Sequence, residues 1–333
     1  MTATRSPTAF AQVPPPVNRR LDQQFVHKHG QLLRVVLWMT GALLSFSAMA
    51  VSVRVLSETL SVIEILTVRS GLGLLVMTAL TTMRHNLRAT ILTRQLPLHL
   101  LRNTLHLGAQ YLWATSLLLL PLATVFALEF TAPAWTLVLA LPLLGERMTP
   151  SRIGAVALGL VGVLVVLRPG VATFQPAALI VLGAALGFAT TLVLTKKLTR
   201  TDSTFAIIFW MNLIQFPLAL AGSDLLFASR ILLLQIPAVI AVGISGLASH
   251  YCLANAFRAG DATVVVPLDF MRIPLIAVVG WWFYGEALDG FVFLGAGLII
   301  AGILWNLQSE ASRASGLPVA GAIAPERTSR KAP

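Results

Sequence analysis

Glu129-Phe130-Thr131-Ala132-Pro133 and Asp269-Phe270-Met271-Arg272-Ile273-Pro274 stand 140 positions apart, each inside a long apolar run. An acid followed a few residues on by proline thus occurs twice in the same register. Sliding the chain over itself by 140 positions also brings Tyr111 onto Tyr251, Ala114 onto Ala254, Val125 onto Val265, Gly145-Glu146 onto Gly285-Glu286 and Gly162 onto Gly302. No gap is needed from Tyr111 to Leu167. Apolar segments match by chance, so the acidic coincidences carry the weight. The two pairs Glu129/Asp269 and Glu146/Glu286 use four of only thirteen acids.

The surrounding composition names the solvent. Of 333 residues, 56% are hydrophobic and 11% charged, with a mean hydropathy of +0.82. Soluble domains carry about 25% charged residues. A spanning helix needs about 20 predominantly apolar residues. The runs that qualify are 33–53, 60–82, 97–119, 122–142, 152–168, 176–196, 204–222, 234–256, 262–284 and 290–308. The expectation is an all-α membrane protein of ten transmembrane helices. Residues 1–32, with Pro14-Pro15-Pro16, read as a disordered basic tail. Residues 33–168 form the first repeat, 176–308 the second, and 309–333 a cytoplasmic C-terminal tail. Ala48-Met49-Ala50 resembles a signal-peptidase site. The segment before it is long and more helices follow, so the first helix is read as uncleaved.

The formal charge of +11 follows from topology and calls for no nucleic acid. With the N-terminus in the cytoplasm, eighteen Lys and Arg residues fall on inside segments. Only Arg54, Arg168 and Arg230 fall outside, and Arg69, Arg102 and Arg272 lie within helices. This balance predicts a multi-pass bacterial-type inner-membrane protein with both termini cytoplasmic. Five helices per repeat is an odd number, so the second half enters the membrane inverted. Inverted repeats place a solute site near the midplane between the halves.

The chain resembles the EamA branch of the drug/metabolite transporter superfamily. The residues that carry the resemblance are Leu120-Pro121-Leu122-Ala123, Pro133, Leu144-Gly145-Glu146-Arg147, and Gly154 through Val165-Val166-Leu167-Arg168-Pro169. In the second half they are Asp261-Ala262-Thr263, Pro267-Leu268, Tyr284-Gly285-Glu286 and Gly295-Ala296. The resemblance covers about residues 33–308. It implies ten helices and transport of a small metabolite, often without ATP hydrolysis. By that analogy the expected activity is export of an amino-acid-derived metabolite, with uptake of a solute such as S-adenosylmethionine or riboflavin as the alternative.

A charge near the bilayer centre costs at least about 2.5–3.5 kcal/mol, which singles out Glu64, Arg69, Arg102, His106, Glu129, Asp269 and Arg272. Pro133 takes a helical partner from the Glu129 carbonyl; Pro267 and Pro274 do so around Asp269. Irregular backbone in a membrane suits a polar cavity. Glu129 and Asp269 are therefore expected to face one, binding a cationic group or a coupling proton. The competing reading pairs Asp269 with Arg272, three residues on, and Glu129 with Arg69 or Arg102. Glu64 reads as solvated near the outer end and Arg102 as snorkelling. His106 is either packed or titrating. Tyr111, Trp113, Trp210, Asn212, Tyr251 and Asn255 are candidate cavity residues. Trp281, Trp282 and Tyr284 form an interfacial belt. Glu146 and Glu286 read as helix-end acceptors, and Gly183 with Gly187 as a close-packing pair.

Other classes fit less well. No phosphate loop, His-Glu-x-x-His or Gly-x-Ser-x-Gly is present. An intramembrane enzyme could use only the Glu129/Asp269 pair, and no ring of pore residues suggests a channel. His27 and His29 are too few for a metal site, and Cys252 is alone. The expected partners are a small-molecule solute and the bilayer. No cofactor is expected, and a homodimer is compatible with the sequence.

Overall fold

The computed structural model describes residues 17–144, 149–168, 175–259, 265 and 268–315, and every regular element among them is helical. Helix α1 runs Val17–Leu56, α2 Val62–Met83, α3 Leu96–Leu119, α4 Leu122–Glu129, α5 Ala132–Leu144 and α6 Pro150–Leu167. Then follow α7 Ala177–Leu198, α8 Thr204–Ala221, α9 Ile236–Ala259, α10 Arg272–Tyr284 and α11 Gly290–Ser315. Eight segments among the described residues are long and apolar enough to cross a membrane. Helix α3 is not one of them; it carries the polar residues His99, Arg102, Asn103, His106 and Gln110, all of them buried. Helix α10 is apolar but has only 13 residues.

Two expectations change. The run 122–142 is not one helix. Helix α4 stops at Glu129, the chain turns at Phe130-Thr131, and α5 begins at Ala132. Pro133 falls in the first turn of α5, where a missing N–H costs no helical bond. It starts a new helix and does not kink an old one. The same turn recurs at Phe270-Met271, before α10 begins at Arg272 with Pro274 in its first turn. Helix α1 begins at Val17, inside the segment expected to be a tail. No glycine or proline follows Val17 until Gly30, so nothing breaks it earlier. Glu146 and the chain around Asp261 and Pro267 lie outside the described residues.

The 140-residue shift holds in the coordinates. Helix α3 (96–119) maps onto α9 (236–259), and α5 (132–144) onto α10 (272–284). The packing follows the same rule. Helix α1 lies along α9, and α3 along α7. Helix α2 packs on α8, α6 on α11, and α4 on α10. Exchanging each helix for its counterpart maps the first four of these pairings onto one another. The Phe130 and Phe270 ring centroids are 4.9 Å apart. A β-carbon added at Gly162 would lie 2.6 Å from the Gly295 carbonyl oxygen; one at Gly302 would lie 3.0 Å from that of Ala155. Those two contacts are counterparts of each other. Close approach of α6 and α11 thus requires glycine at both crossings.

Candidate functional site

A cavity of about 390 Å³ opens between the halves, bordered by α1, α2, α3, α4, α5, α7, α9 and α10. Its charged floor is built from the two helix breaks. Glu129 ends α4, Arg272 begins α10, and Asp269 lies three residues before Arg272. Arg272 reaches both acids: its Nη2 donates to Asp269 Oδ1 at 2.5 Å and its Nη1 to Glu129 Oε1 at 3.4 Å. Trp113 Nε1–H donates to Glu129 Oε2 at 2.7 Å.

Aromatic rings cover the cation. The Arg272 guanidinium carbon lies 3.7 Å from the Phe46 ring centroid and 5.3 Å from that of Phe130. Its side chain is only 6% exposed, whereas Glu129 and Asp269 are 19% and 20% exposed. Both carboxylates therefore line the cavity wall, and the arginine is clamped behind them. Two ionised acids on one guanidinium leave this cluster one formal negative charge. Removing one member of such a buried cluster costs about 3–5 kcal/mol, since it strands the others.

A second group of polar side chains lines the same cavity: Arg69, Arg102, His106, Gln110 and His250. Arg102 donates to Asn103 Oδ1 at 2.6 Å and Thr195 Oγ1 at 3.2 Å. His106 Nδ1 pairs with Gln215 Nε2 at 2.9 Å. Arg102 is thus buried and bonded in the bundle; it does not snorkel.

Of the residues expected at the site, Glu129, Asp269, Arg69, Arg272, Trp113 and His106 line the cavity, and Tyr111 and Asn255 do not. Tyr111 lies two residues from Trp113, about 200° round the helix, and its side chain is exposed. Asn255 donates to the Tyr251 carbonyl of its own helix at 2.8 Å. Tyr251 is exposed and meets Trp38 edge to face. Trp210 donates to the Ile91 carbonyl, and Asn212 to that of Ile208. Glu129 finds its cation in Arg272; neither Arg69 nor Arg102 supplies it. Sequence reasoning passed over Gln110, His250, Thr195 and Phe46. Two had a signal: Gln110 continues the 102–106–110–113 helical stripe, and His250 is its counterpart 140 positions on.

The ends of the bundle are pinned separately. Glu286 accepts from Arg54 Nη1 at 2.5 Å and from the Leu122 N–H at 2.8 Å, so it caps α4 from across the repeat. Arg54 also donates to the Leu117 and Leu120 carbonyls. Glu64 is buried, not solvated: it accepts from Arg230 and from the Ser61 N–H. Arg168 pairs with Asp289. Asp202 accepts from Thr93 Oγ1 at 2.6 Å and lies 2.6 Å from His99 Nε2. Gly187 lies against Ala109, as close helix packing requires. Cys252 is a free thiol packed near Gly41. No group of three metal-ligating side chains occurs among the described residues.

A helical bundle crossing a membrane several times, with buried charges around an internal cavity, defines a polytopic carrier-like protein. The EamA-like transporter family model matches residues 33–168 and 175–308, and the chain belongs to that family. It is a membrane transporter of that type. It is 32% identical to a riboflavin transporter of Rhizobium johnstonii over 65% of this chain and 71% of the relative. It is 25% identical to an S-adenosylmethionine uptake transporter of Rickettsia bellii, over 66% and 76% respectively. A pseudopaline exporter of Pseudomonas aeruginosa is 28% identical over 82% of this chain and 94% of its own. One solved crystal structure shares the fold at a TM-score of 0.57, with 18% identity, covering 86% of this chain and 99% of that one.

Proposed function

We propose that the chain is a secondary transporter of ten spans in two inverted five-helix repeats. It moves a small amino-acid-derived metabolite by alternating access through the cavity between the halves. The observation that carries this reading is the Glu129–Arg272–Asp269 cluster, placed where both repeats break their helices. The exchange symmetry of the packing supports the repeat. Helix α3, and α10 with the chain before it, complete the eight apolar spans to ten. The cation distribution supports an inner-membrane location with both termini in the cytoplasm.

In this mechanism Glu129 and Asp269 hold a cationic group of the solute, or a coupling proton, in exchange for contact with Arg272. Solute arrival loosens the cluster that ties α4 to α10, and the halves rock around it. The relatives' names as transporters favour a carrier over an enzyme that would use the Glu129/Asp269 pair. Direction follows the gradients, since a carrier of this kind runs either way. The relatives include both an exporter and an uptake transporter.

The test is flux of a metabolite panel into inside-out and right-side-out vesicles, with and without a proton gradient. Saturable flux that falls at least about tenfold in Glu129→Gln and Asp269→Asn is expected. Flux indifferent to both substitutions contradicts the assignment.

A further inference from the structure

The carboxylate cluster accounts for one pole of the cavity and leaves the other unexplained. Arg69 and Arg102 both line it and are 6% and 7% exposed. Neither meets a carboxylate among the described residues; the cavity's acids Glu129 and Asp269 are held by Arg272. Among the described residues Arg102 bonds only to the neutral oxygens of Asn103 and Thr195. Arg69 Nη1 is buried without any hydrogen-bond partner. Its Nε is pressed against Gly246, where an added β-carbon would lie 2.9 Å away. Glycine there leaves room for the guanidinium beside α9.

An arginine does not escape burial by losing its proton. Two guanidiniums that meet no carboxylate among the described residues repel each other in one low-dielectric cavity and cost several kcal/mol apiece unless something compensates. Nothing in the fold gains from such a pair, whereas an arriving anion does. The guanidinium fork matches the planar oxygens of a carboxylate or phosphate. Along α3, Arg102 lies eleven positions, or roughly 16 Å, from Trp113, the donor to Glu129.

We infer that Arg69 and Arg102 form an anion subsite that takes the carboxylate or phosphate of the solute, so that the solute is an organic anion or zwitterion. Its cationic or hydrogen-bonding end faces Glu129 and Asp269. This inference rests on the transport reading only for calling the ligand the transported solute.

The experiment measures binding to the purified full chain in detergent with two matched pairs of probes. One pair is riboflavin 5′-phosphate against riboflavin; the other is S-adenosylmethionine against its decarboxylated form. The carboxylate- or phosphate-bearing member of at least one pair is expected to bind about tenfold tighter or better. Arg69→Gln and Arg102→Gln are expected to erase that preference, and Arg69→Lys to retain part of it. The ligand-free melting midpoint of Arg69→Gln should not fall, because it loses a buried guanidinium whose Nη1 has no partner. A structural arginine would show a clear loss there. Equal binding within both pairs overturns the inference. So does the absence of any stabilisation by the four probes and by millimolar inorganic phosphate. Vesicle flux with no preference within a pair removes the subsite and leaves transport standing. Tight anion binding without any flux does the reverse.

Discussion

Phe130 and Phe270 are separated by 140 positions in the chain, yet their ring centroids lie 4.9 Å apart. Each sits at the turn where its repeat breaks a helix, and each has a carboxylate immediately before it. An aromatic pair of this kind contributes about 0.5–1.5 kcal/mol beyond its buried area. Its larger effect is positional. The contact holds the two breaks together, and Arg272 then ties Glu129 to Asp269 across the junction.

The α6–α11 crossing gives a stability prediction. Gly162 and Gly302 occupy equivalent positions, and a β-carbon at either meets backbone oxygen. Gly162→Ala and Gly302→Ala should each cost about 1–3 kcal/mol through overpacking. The 2.6 Å approach at Gly162 makes it the costlier of the two. Thermal midpoints in detergent would check this, and an unchanged midpoint for Gly162→Ala would contradict the crossing.

Trp113 tests the site without disturbing its charge. Phe at this position keeps the ring that packs edge to face on Phe126 and removes the N–H that holds Glu129. A hydrogen bond to a charged group contributes about 1.5–3 kcal/mol. Trp113→Phe should therefore lower flux at subsaturating solute by about tenfold while leaving folded yield intact. Equal flux in the two proteins would show that the bond does not position Glu129.

The loop joining α7 and α8 predicts an acid-side effect. Burial pushes the Asp202 carboxyl up, but hydrogen bonds from Thr93 and His99 and the nearby His99 charge outweigh it. Together they hold the carboxyl below its ordinary value. A depressed folded value means the stability from Asp202 is present above the unfolded value, about 3.9. It is lost as pH falls through the folded value. Melting midpoints followed from pH 6 down to about pH 3 should fall more steeply for the native chain than for Asp202→Asn. Parallel curves would rule out this linkage.

Much of the fold was legible because bilayer burial imposes long apolar runs and makes every acid conspicuous. The repeat, its register and the placing of Glu129, Asp269 and Arg272 on one cavity all followed from that. The helix breaks were misread because proline removes an N–H whether it kinks a helix or opens one; only the backbone distinguishes these cases. Partners across the bundle were not legible either. Glu64 meets Arg230, and Glu286 meets Arg54, across long separations that no local spacing records. Tyr111 and Asn255 were named for their chemistry, but helical phase turns them away from the cavity.

Alternating access is tested most directly by the reachability of a cavity wall residue from both sides of the membrane. Cys252 is the sole cysteine, so Cys252→Ser clears the background, and Thr136→Cys places one thiol in the cavity lining. A membrane-impermeant maleimide would be applied to right-side-out and inside-out vesicles, with and without carried solute. The account predicts labelling from each side in turn, slowed by the solute. Labelling from one side only, under every gradient and with every solute tried, would contradict it.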